Sequence, residues 1–378
     1  MAFHFNNKNI IFLLASPELG GAERQALTLA GYLQNNLNCK VVIYSCIKRN
    51  PSKQFDQLLS KHQLKNFKTV KNPLVASRRC RAIKIYFKLF SFGLKLRKFK
   101  PDVIIPYLNH PSIIANYCKK ISGARVAYWN NRGYEIFRKD TFEIQAVKRA
   151  DFFLVNSSDS IKDMVKNLNV TKDQIHFIPN FNTLDTQHIK PQSAKETGEV
   201  VIGMLAHFRS EKLHLLLLKS FLYLSVKYPF IKLHLVGTFL EQPHLRIIQQ
   251  YISENQIAHK VELKFKESGE SAIPHFDIAV LVSLKEGMSN SLMEYMYFEK
   301  PIVCSKLSGN EWLLGHRNAY LVDYNHIELT EKLEMFINDP QLRKVEGLKN
   351  KKRLTENFSI ERYVHDVETL VSEHITAT

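Results

Sequence analysis

The sequence predicts an α/β protein of two domains, each a parallel β-sheet wrapped by helices. The chain has 378 residues, which exceeds what one hydrophobic core usually serves and suits two domains of middling size. Short apolar runs alternate with longer segments of helical period along its whole length, as in βαβ units. The runs are apolar at successive positions, so we expect strands that are buried on both faces.

The first half is expected to begin with a strand, a Gly20-Gly21 turn and a helix. The helix, at residues 22–34, has an apolar face formed by Ala22, Ala26, Leu29, Ala30 and Leu33. The apolar runs of this half predict strands at residues 9–15, 40–45, 102–106, 124–129 and 152–156.

The boundary between the domains is expected at residues 190–199, which are polar and contain Pro191 and Gly198. Ligands of open parallel sheets bind beyond the carboxyl ends of the strands, so we expect the site in a cleft between the two domains. In the second half, the apolar runs predict strands at residues 200–204, 232–236, 261–265, 277–282 and 301–304.

Composition excludes several classes of protein. Hydrophobic residues make up 45% and charged residues 24% of the chain, which excludes wholesale disorder. No run approaches the roughly eighteen apolar residues of a membrane span, and the first residues do not resemble a signal peptide. The five cysteines are odd in number and form no CxxC pair, so we expect reduced thiols rather than disulfides or a zinc site.

The positive charge is confined to the first half. Residues 1–190 carry 31 Lys and Arg against 12 Asp and Glu, a difference of +19, whereas residues 191–378 carry 22 against 24, a difference of −2. Such asymmetry indicates an anionic partner for the first half, either nucleic acid or a phospholipid surface.

Residues 77–100 concentrate this charge. Ile, Leu, Tyr and Phe residues are interleaved with the cations, and a basic helix of this kind suits an anionic membrane surface. The alternative is a packed helix whose basic side faces solvent. The segment has no acid, and its nine cations are Arg78, Arg79, Arg81, Lys84, Lys88, Lys95, Arg97, Lys98 and Lys100.

The segment from residue 281 to 303 carries the richest chemistry. A strand ends near Ser283, a turn follows through Glu286-Gly287, and Ser289 or Asn290 is expected to cap a helix that ends near residue 298. The first turn of such a helix offers free N–H groups to a phosphate. Glu286 and Glu294 lie eight positions apart, so both can bind hydroxyls of one molecule. The alternative is a pair of solvated glutamates.

The string around these glutamates resembles a known signature. Glu286-Gly287-x-x-Asn290, Glu294, Lys300-Pro301-Ile302-Val303 and Gly309-Asn310-Glu311 occur in that order, as in the retaining glycosyltransferases of family four, the group 1 glycosyltransferases with the GT-B fold. This resemblance implies two facing Rossmann-like domains with an interdomain cleft. It also implies an acceptor-binding domain at 1–190, a donor-binding domain at 191–355 and a terminal helix, within 356–378, that packs back on the first domain.

The resemblance also assigns roles to residues. Glu286 would contact the donor sugar and Glu294 the ribose of the nucleotide. Lys212 matches one of two cations that hold the donor diphosphate in the family, whereas His207 occupies the position of the other, and we expect Arg209 to assist instead. Further donor-binding residues are expected at Gly20, Gly21, Lys266, Gly287, Met288, Ser289, Asn290 and Ser291.

Two segments of the first half follow predicted strands and are expected near the ligands. His110 follows the strand at 102–106, where several relatives place a polar or histidine side chain near the donor sugar. Residues 129–133 follow another strand and would line the acceptor side.

The function implied by the resemblance is transfer of a sugar, with retention of configuration, from a nucleotide diphosphate sugar, UDP being favoured. A glycan or lipid-linked glycan of cell-surface polysaccharide or lipopolysaccharide synthesis would be the acceptor. No Asp-x-Asp pair occurs in the chain, so we expect no metal and no other cofactor. The enzyme is expected in the cytoplasm, peripheral on the inner face of the cell membrane, with no nucleic acid as partner.

Two alternatives remain at this point. One is a nucleotide-sugar epimerase with the GT-B fold, although such enzymes lack this glutamate pair. The other is a non-enzymatic module that binds polyanions through the basic first half.

Overall fold

The computed structural model describes residues 3–77, 80–132, 137–184, 198–238, 241–265, 267–316 and 318–376. The chain forms two compact units, one comprising Met1–Thr183 and Ile360–Thr378, the other Leu184–Ser359. The expected boundary at 190–199 lies almost entirely outside the described residues. Within those residues, no helix is both long enough and apolar enough to cross a membrane.

Two parallel sheets form the first unit. The larger has the strand order β3-β2-β1-β4-β5 and the smaller the order β6-β7-β8. Their strands are β1 Asn9–Leu14, β2 Lys40–Ser45, β3 Phe67–Thr69, β4 Val103–Pro106, β5 Val126–Ala127, β6 Trp129–Asn130, β7 Phe153–Val155 and β8 Ile175–Phe177.

The prediction of one strand at residues 124–129 is wrong, because the chain changes sheets at Tyr128. β5 pairs with β4, whereas β6 pairs with β7. Tyr128 stacks on Phe152 in one hydrophobic cluster, and the next residue, Trp129, packs in the other. Both side chains are fully buried, so the apolar run is continuous although the sheet is not. The short strands β3 and β8 were not predicted.

Helices cover these sheets. Ser52, Asp140 and Ser157 cap three of them through their side chains, which satisfies backbone N–H groups that would otherwise lack partners. The helices of this unit are α1 Gly21–Asn36, α2 Lys53–Lys61, α3 Arg81–Arg97, α4 Asn109–Ser122, α5 Thr141–Val147, α6 Ser158–Leu168 and α14 Ile360–Thr376.

The terminal helix α14 is part of the core of the first unit. Tyr363, Val364, Val367 and Val371 are buried with side chains of α1 and β1. The guanidinium of Arg132 donates to the hydroxyl of Tyr363 at 2.5 Å. This helix therefore completes the first unit, although it follows the second unit in the chain.

The second unit has one six-stranded parallel sheet, in the order β11-β10-β9-β12-β13-β14. Its strands are β9 Val200–Leu205, β10 Ile231–Gly237, β11 Val261–Phe265, β12 Ile278–Leu281, β13 Ile302–Ser305 and β14 Leu321–Val322. Its helices are α7 His214–Lys227, α8 Gln242–Glu254, α9 Gly269–Ala272, α10 Asn290–Tyr297, α11 Ser308–Leu314, α12 His326–Asn338 and α13 Pro340–Asn357.

The predicted α/β fold class is confirmed, with a Rossmann-like arrangement in each unit. All five strands predicted for the second half are present, and β14 is an additional strand of two residues. The strand order reverses between β1 and β4 in the first unit and between β9 and β12 in the second. Loops that leave such neighbouring strands diverge and leave a crevice for ligands at the carboxyl edge.

Candidate functional site

The crevice of the second unit begins where β9 and β12 separate. The two strands pair only through Ile202 with Ile278 and Gly203 with Ala279. Beyond these pairs, β9 continues beside β10 and β12 continues beside β13. The ends of β9 and β12 therefore diverge, and their ladder stops short of the carboxyl edge.

The loop that follows β9 folds back into this gap. The backbone N–H of Leu213 donates to the carbonyl oxygen of Val282 at 3.1 Å, and that of Leu284 donates to Glu211 at 2.9 Å. Between them, Lys212 and Ser283 form an antiparallel bridge. The loops after the two strands are thus joined by main-chain hydrogen bonds.

This pairing brings together two of the predicted site residues. The Nζ atom of Lys212 forms an ion pair with Oε1 of Glu286. The side chains are 16% and 14% exposed, respectively. A pair this far removed from water costs desolvation energy that mutual attraction must offset, so it is not an ordinary surface salt bridge.

Helix α10 begins directly after this pair. Ser289, not Asn290, is the N-cap of this helix, because its hydroxyl accepts a hydrogen bond from the backbone N–H of Leu292 at 3.4 Å. Gly287 and Met288 in the turn are buried, whereas Asn290 and Ser291 are half-buried at the start of the helix. The first turn of α10 therefore lies at the same edge of the sheet as Glu286, with its dipole positive toward that edge.

Glu294 is buried one turn into α10. The residue is only 5% exposed. Gly269 packs against it so closely that a Cβ atom there would lie 1.8 Å from the Oε2 atom. The burial of Glu294 and the low exposure of the Glu286 side chain, 14%, contradict the alternative of two solvated glutamates. Lys266, predicted to contact the donor, lies outside the described residues.

Arg209 lies on the exposed part of the same loop. Its Nε atom is 2.9 Å from Glu211 and 4.0 Å from Glu241. Arg209 is therefore paired with carboxylates in the structure. Its assistance in holding a diphosphate stays a prediction. His207 is an exposed residue. Partial desolvation of its imidazole, followed by the charges of Lys212 and Arg209, lowers the pKa of His207.

Helix α11 packs against the backbone of the turn at Glu286-Gly287. A Cβ atom on Gly309 would lie 1.8 Å from the carbonyl oxygen of Gly287. The fully buried Asn310 donates to the carbonyl oxygen of Ser305 at 2.9 Å. The backbones of these two segments are therefore in direct contact, and only glycine fits at position 309.

The predicted residues of the first unit lie at its own switch point. Gly20 precedes α1 after β1, and His110 lies in the first turn of α4 after β4. Burial, with a smaller effect of Arg138, lowers the pKa of His110 to about 4. Leu108, between β4 and α4, has φ 76° and ψ 169°, a conformation that costs a non-glycine residue about 1–3 kcal/mol and is often found at functional sites.

Glu23 was not among the predicted site residues, since burial of a helical glutamate has no signal in the sequence. It lies in the first turn of α1 and is 7% exposed. Burial is the largest cause that raises its pKa from 4.5 to about 7, against hydrogen bonds from the backbone of Glu23 and Gly20. The switch point of the first unit thus holds a carboxyl group that is partly protonated at neutral pH.

This shift predicts a pH-dependent stability. Between pH 4.5 and about 7 the folded chain retains a proton that the unfolded chain has released, so stability falls as pH rises through this range. We expect Glu23→Gln, which carries no charge, to raise the free energy of unfolding at pH 8 by on the order of 3 kcal/mol. The gain at pH 5 should be much smaller.

Urea unfolding at the two pH values measures this effect. The matched control is Glu361→Gln, since Glu361 also lies in the first turn of a helix but is exposed. Its effect should be within about 0.5 kcal/mol at both values. Equal gains at pH 5 and pH 8 for Glu23→Gln would contradict the raised pKa.

Comparisons with known proteins agree with this architecture. The family model for Glycosyltransferase Family 4 matches residues 19–185, and that for Glycosyl transferases group 1 matches residues 185–353. The crystal structure of Anabaena HepE in complex with UDP and glucose superposes with a TM-score of 0.77 and 18% identity, over 97% of this chain and 100% of that chain. The similarity of structure establishes the fold.

Two curated relatives are similar over much of the chain. One, from Campylobacter jejuni, is named N-acetylgalactosamine-N,N'-diacetylbacillosaminyl-diphospho-undecaprenol 4-alpha-N-acetylgalactosaminyltransferase and is 23% identical over 88% of this chain and 91% of its own. The other is the capsular polysaccharide biosynthesis glycosyltransferase CapM of Staphylococcus aureus, 22% identical over 73% of this chain and 80% of its own. The chain belongs to the glycosyltransferases with the GT-B fold, and it carries a family 4 domain followed by a group 1 domain.

Proposed function

We propose that the chain transfers a sugar from a nucleotide diphosphate sugar, with UDP favoured, to a glycan or a lipid-linked glycan during cell-surface polysaccharide or lipopolysaccharide synthesis. The observation that carries this proposal is the Lys212–Glu286 pair beside the first turn of α10. The names of the relatives support the acceptor class, since one acts on a diphospho-undecaprenol-linked sugar and another in capsule synthesis. The UDP in the similar Anabaena structure supports the donor.

The ion pair suggests how the donor is received. Entry of a diphosphate would draw the ammonium of Lys212 away from Glu286, and the freed carboxylate would accept hydrogen bonds from hydroxyls of the donor sugar. The N–H groups at the start of α10 would bind phosphate oxygens. Glu294 would contact the ribose.

The reaction proposed here retains configuration. The bond between the anomeric carbon and the phosphate oxygen breaks, and the acceptor oxygen bonds to the same face of that carbon. The acceptor proton passes to the leaving phosphate. Lys212 and the α10 N–H groups would stabilise the negative charge that develops on this phosphate. Such preorganised groups each lower the activation free energy by about 3–4 kcal/mol. His110, with its low pKa, would act as a neutral group.

We further propose that this charge stabilisation needs no metal and no other cofactor. A screen of UDP-, GDP-, ADP- and dTDP-sugars for donor hydrolysis, with EDTA present, tests the proposal. Turnover of one donor class supports the transferase. Isomerisation of the sugar without hydrolysis would favour the epimerase, and binding of oligonucleotides without any nucleotide preference would favour the polyanion-binding module.

We propose a peripheral location on the inner face of the cell membrane, and the exposed face of α3 supports the attachment to a membrane surface. Ile85, Leu89 and Leu96 are buried in the first unit, as expected of part of the apolar face. A second apolar stripe, at helical spacing, remains exposed; it comprises Ile83 (59%), Phe87 (70%), Phe90 (52%) and Leu94 (41%).

Cations flank this apolar stripe. Arg81, Lys84, Lys88 and Lys95 are exposed on the same helix, while Arg78 and Arg79 lie outside the described residues. An exposed apolar stripe beside cations suits insertion at the headgroup level of an anionic bilayer. Each cation near such a surface contributes about 1 kcal/mol.

We expect the double variant Phe87→Ser/Phe90→Ser to lower binding to anionic vesicles at least about tenfold, because two apolar side chains no longer leave water on binding. Flotation with phosphatidylglycerol vesicles at low and high salt measures this. The matched control is Tyr223→Ser/Val226→Ser, which removes two exposed apolar side chains from α7. Equal binding by both double variants, or binding insensitive to salt, would contradict the membrane surface.

A further inference from the structure

A single buried hydroxyl joins β9 and β12 where their ladder has ended. The phenol oxygen of Tyr295 accepts from the backbone N–H of Leu205 at 2.6 Å and donates to the carbonyl oxygen of Val280 at 3.2 Å. Leu205 is the last residue of β9, and Val280 lies in β12 beyond its last pair with β9. Two hydrogen bonds in series thus connect strand ends that share no ladder pair of their own.

Tyr295 is fixed in this position. Its side chain is fully buried, and its ring packs edge-on against Phe276 with centroids 6.3 Å apart. Burial raises its pKa well above the ordinary value for tyrosine, so the hydroxyl keeps the proton that it donates. Since Tyr295 follows Glu294 in α10, the same helix carries the buried carboxylate and the bridging hydroxyl.

The next contacts along the gap belong to the candidate site. Leu213 bonds to Val282, two residues beyond the carbonyl that Tyr295 reaches, and Lys212 bridges to Ser283. Hydrogen bonds thus follow one another along the gap, from Tyr295 at the strand ends to the returning loop that carries Lys212.

We propose that Tyr295 is a positioning residue, whose hydroxyl holds the ends of β9 and β12 at the separation that lets residues 211–213 fold between them and present Lys212 to Glu286. Its effect on nucleotide binding rests on the proposed function. Its effect on the strand ends does not.

Tyr295→Phe tests this role, because it keeps the ring and removes both hydrogen bonds. We expect the dissociation constant of UDP, measured by calorimetry, to rise about tenfold, as the loop that carries Lys212 loses its fixed position. Hydrogen exchange should quicken in peptides that cover residues 205–213 and 282–286 and stay unchanged in β10. Tyr297→Phe, on the same helix and also buried, should match the wild type in both measurements.

A measurement on the unaltered chain makes the test independent of the variant's folding. The amide of Leu205 should exchange as slowly as that of Ile202 in the middle of β9. Exchange as fast as in the loop at 207–210 would overturn the proposal, as would uniform quickening along the whole Tyr295→Phe chain or unchanged UDP binding by it. Absence of nucleoside diphosphate binding by the wild type would instead contradict the proposed function, and the exchange data would still decide the role of Tyr295.

Discussion

Lys212→Met is expected to lower the rate constant of donor turnover by about 10²–10³-fold, which corresponds to the loss of one preorganised electrostatic group at a developing negative charge. The side chain of Met fills a similar volume without a charge. In the structure, Lys212 is the cation paired with Glu286 in the gap between β9 and β12. Steady-state kinetics with the donor identified by the screen, at saturating concentration, measures the effect.

The matched control is Lys352→Met. Lys352 is also paired with a glutamate, Glu356, but this pair lies on the solvent-facing side of α13, with the lysine side chain 76% exposed. Its replacement should change turnover less than about twofold, as for other changes of exposed surface residues. Arg209→Met should fall between the two, because Arg209 is 45% exposed and already paired with Glu211. Turnover by Lys212→Met within threefold of the wild type would exclude the lysine from catalysis.

The sequence predicts well what the pattern of a short apolar run determines by itself. Each strand predicted for the second half ends within one residue of the observed strand. β12 and β13 are buried at every position, whereas β10 and β11 alternate apolar with polar residues, and either pattern indicates a strand. The continuous kind of run explains the error at residues 124–129. Tyr128 and Trp129 are both buried, but burial alone does not tell whether two neighbouring residues belong to one sheet or to two.

The candidate site was predicted only in part. The resemblance to family four identified Glu286, Glu294 and Lys212 separately, whereas the pairing of Lys212 with Glu286 depends on hydrogen bonds between Glu211–Leu213 and residues about seventy positions later. Hydrogen bonds between backbone atoms do not depend on which side chains are present, so the sequence does not indicate them. The burial of Glu23 and the bridging role of Tyr295 are likewise properties of packing, which no spacing of residues indicates.

Gly309→Ala is expected to lower donor turnover at least about tenfold and to reduce the free energy of unfolding by about 1–3 kcal/mol, the usual cost of an added methyl group in a closely packed region. The new Cβ atom would lie 1.8 Å from the carbonyl oxygen of Gly287, 2.7 Å from its carbonyl carbon and 3.2 Å from the backbone nitrogen of Met288. All three are backbone atoms, so no side chain can rotate away. Either α11 or the turn that carries Glu286 must move.

Kinetics and urea unfolding of the same preparation distinguish the two ways of relieving this contact. If the turn moves, Glu286 leaves Lys212, and turnover falls while much of the stability remains. If α11 moves, the buried Asn310 loses its bond to Ser305, and stability falls more than turnover. Ser308→Ala, one residue earlier in α11, serves as the control for helix propensity. Wild-type values of both quantities in Gly309→Ala would show that the turn and α11 are not in contact, and the position of Glu286 would then need another support.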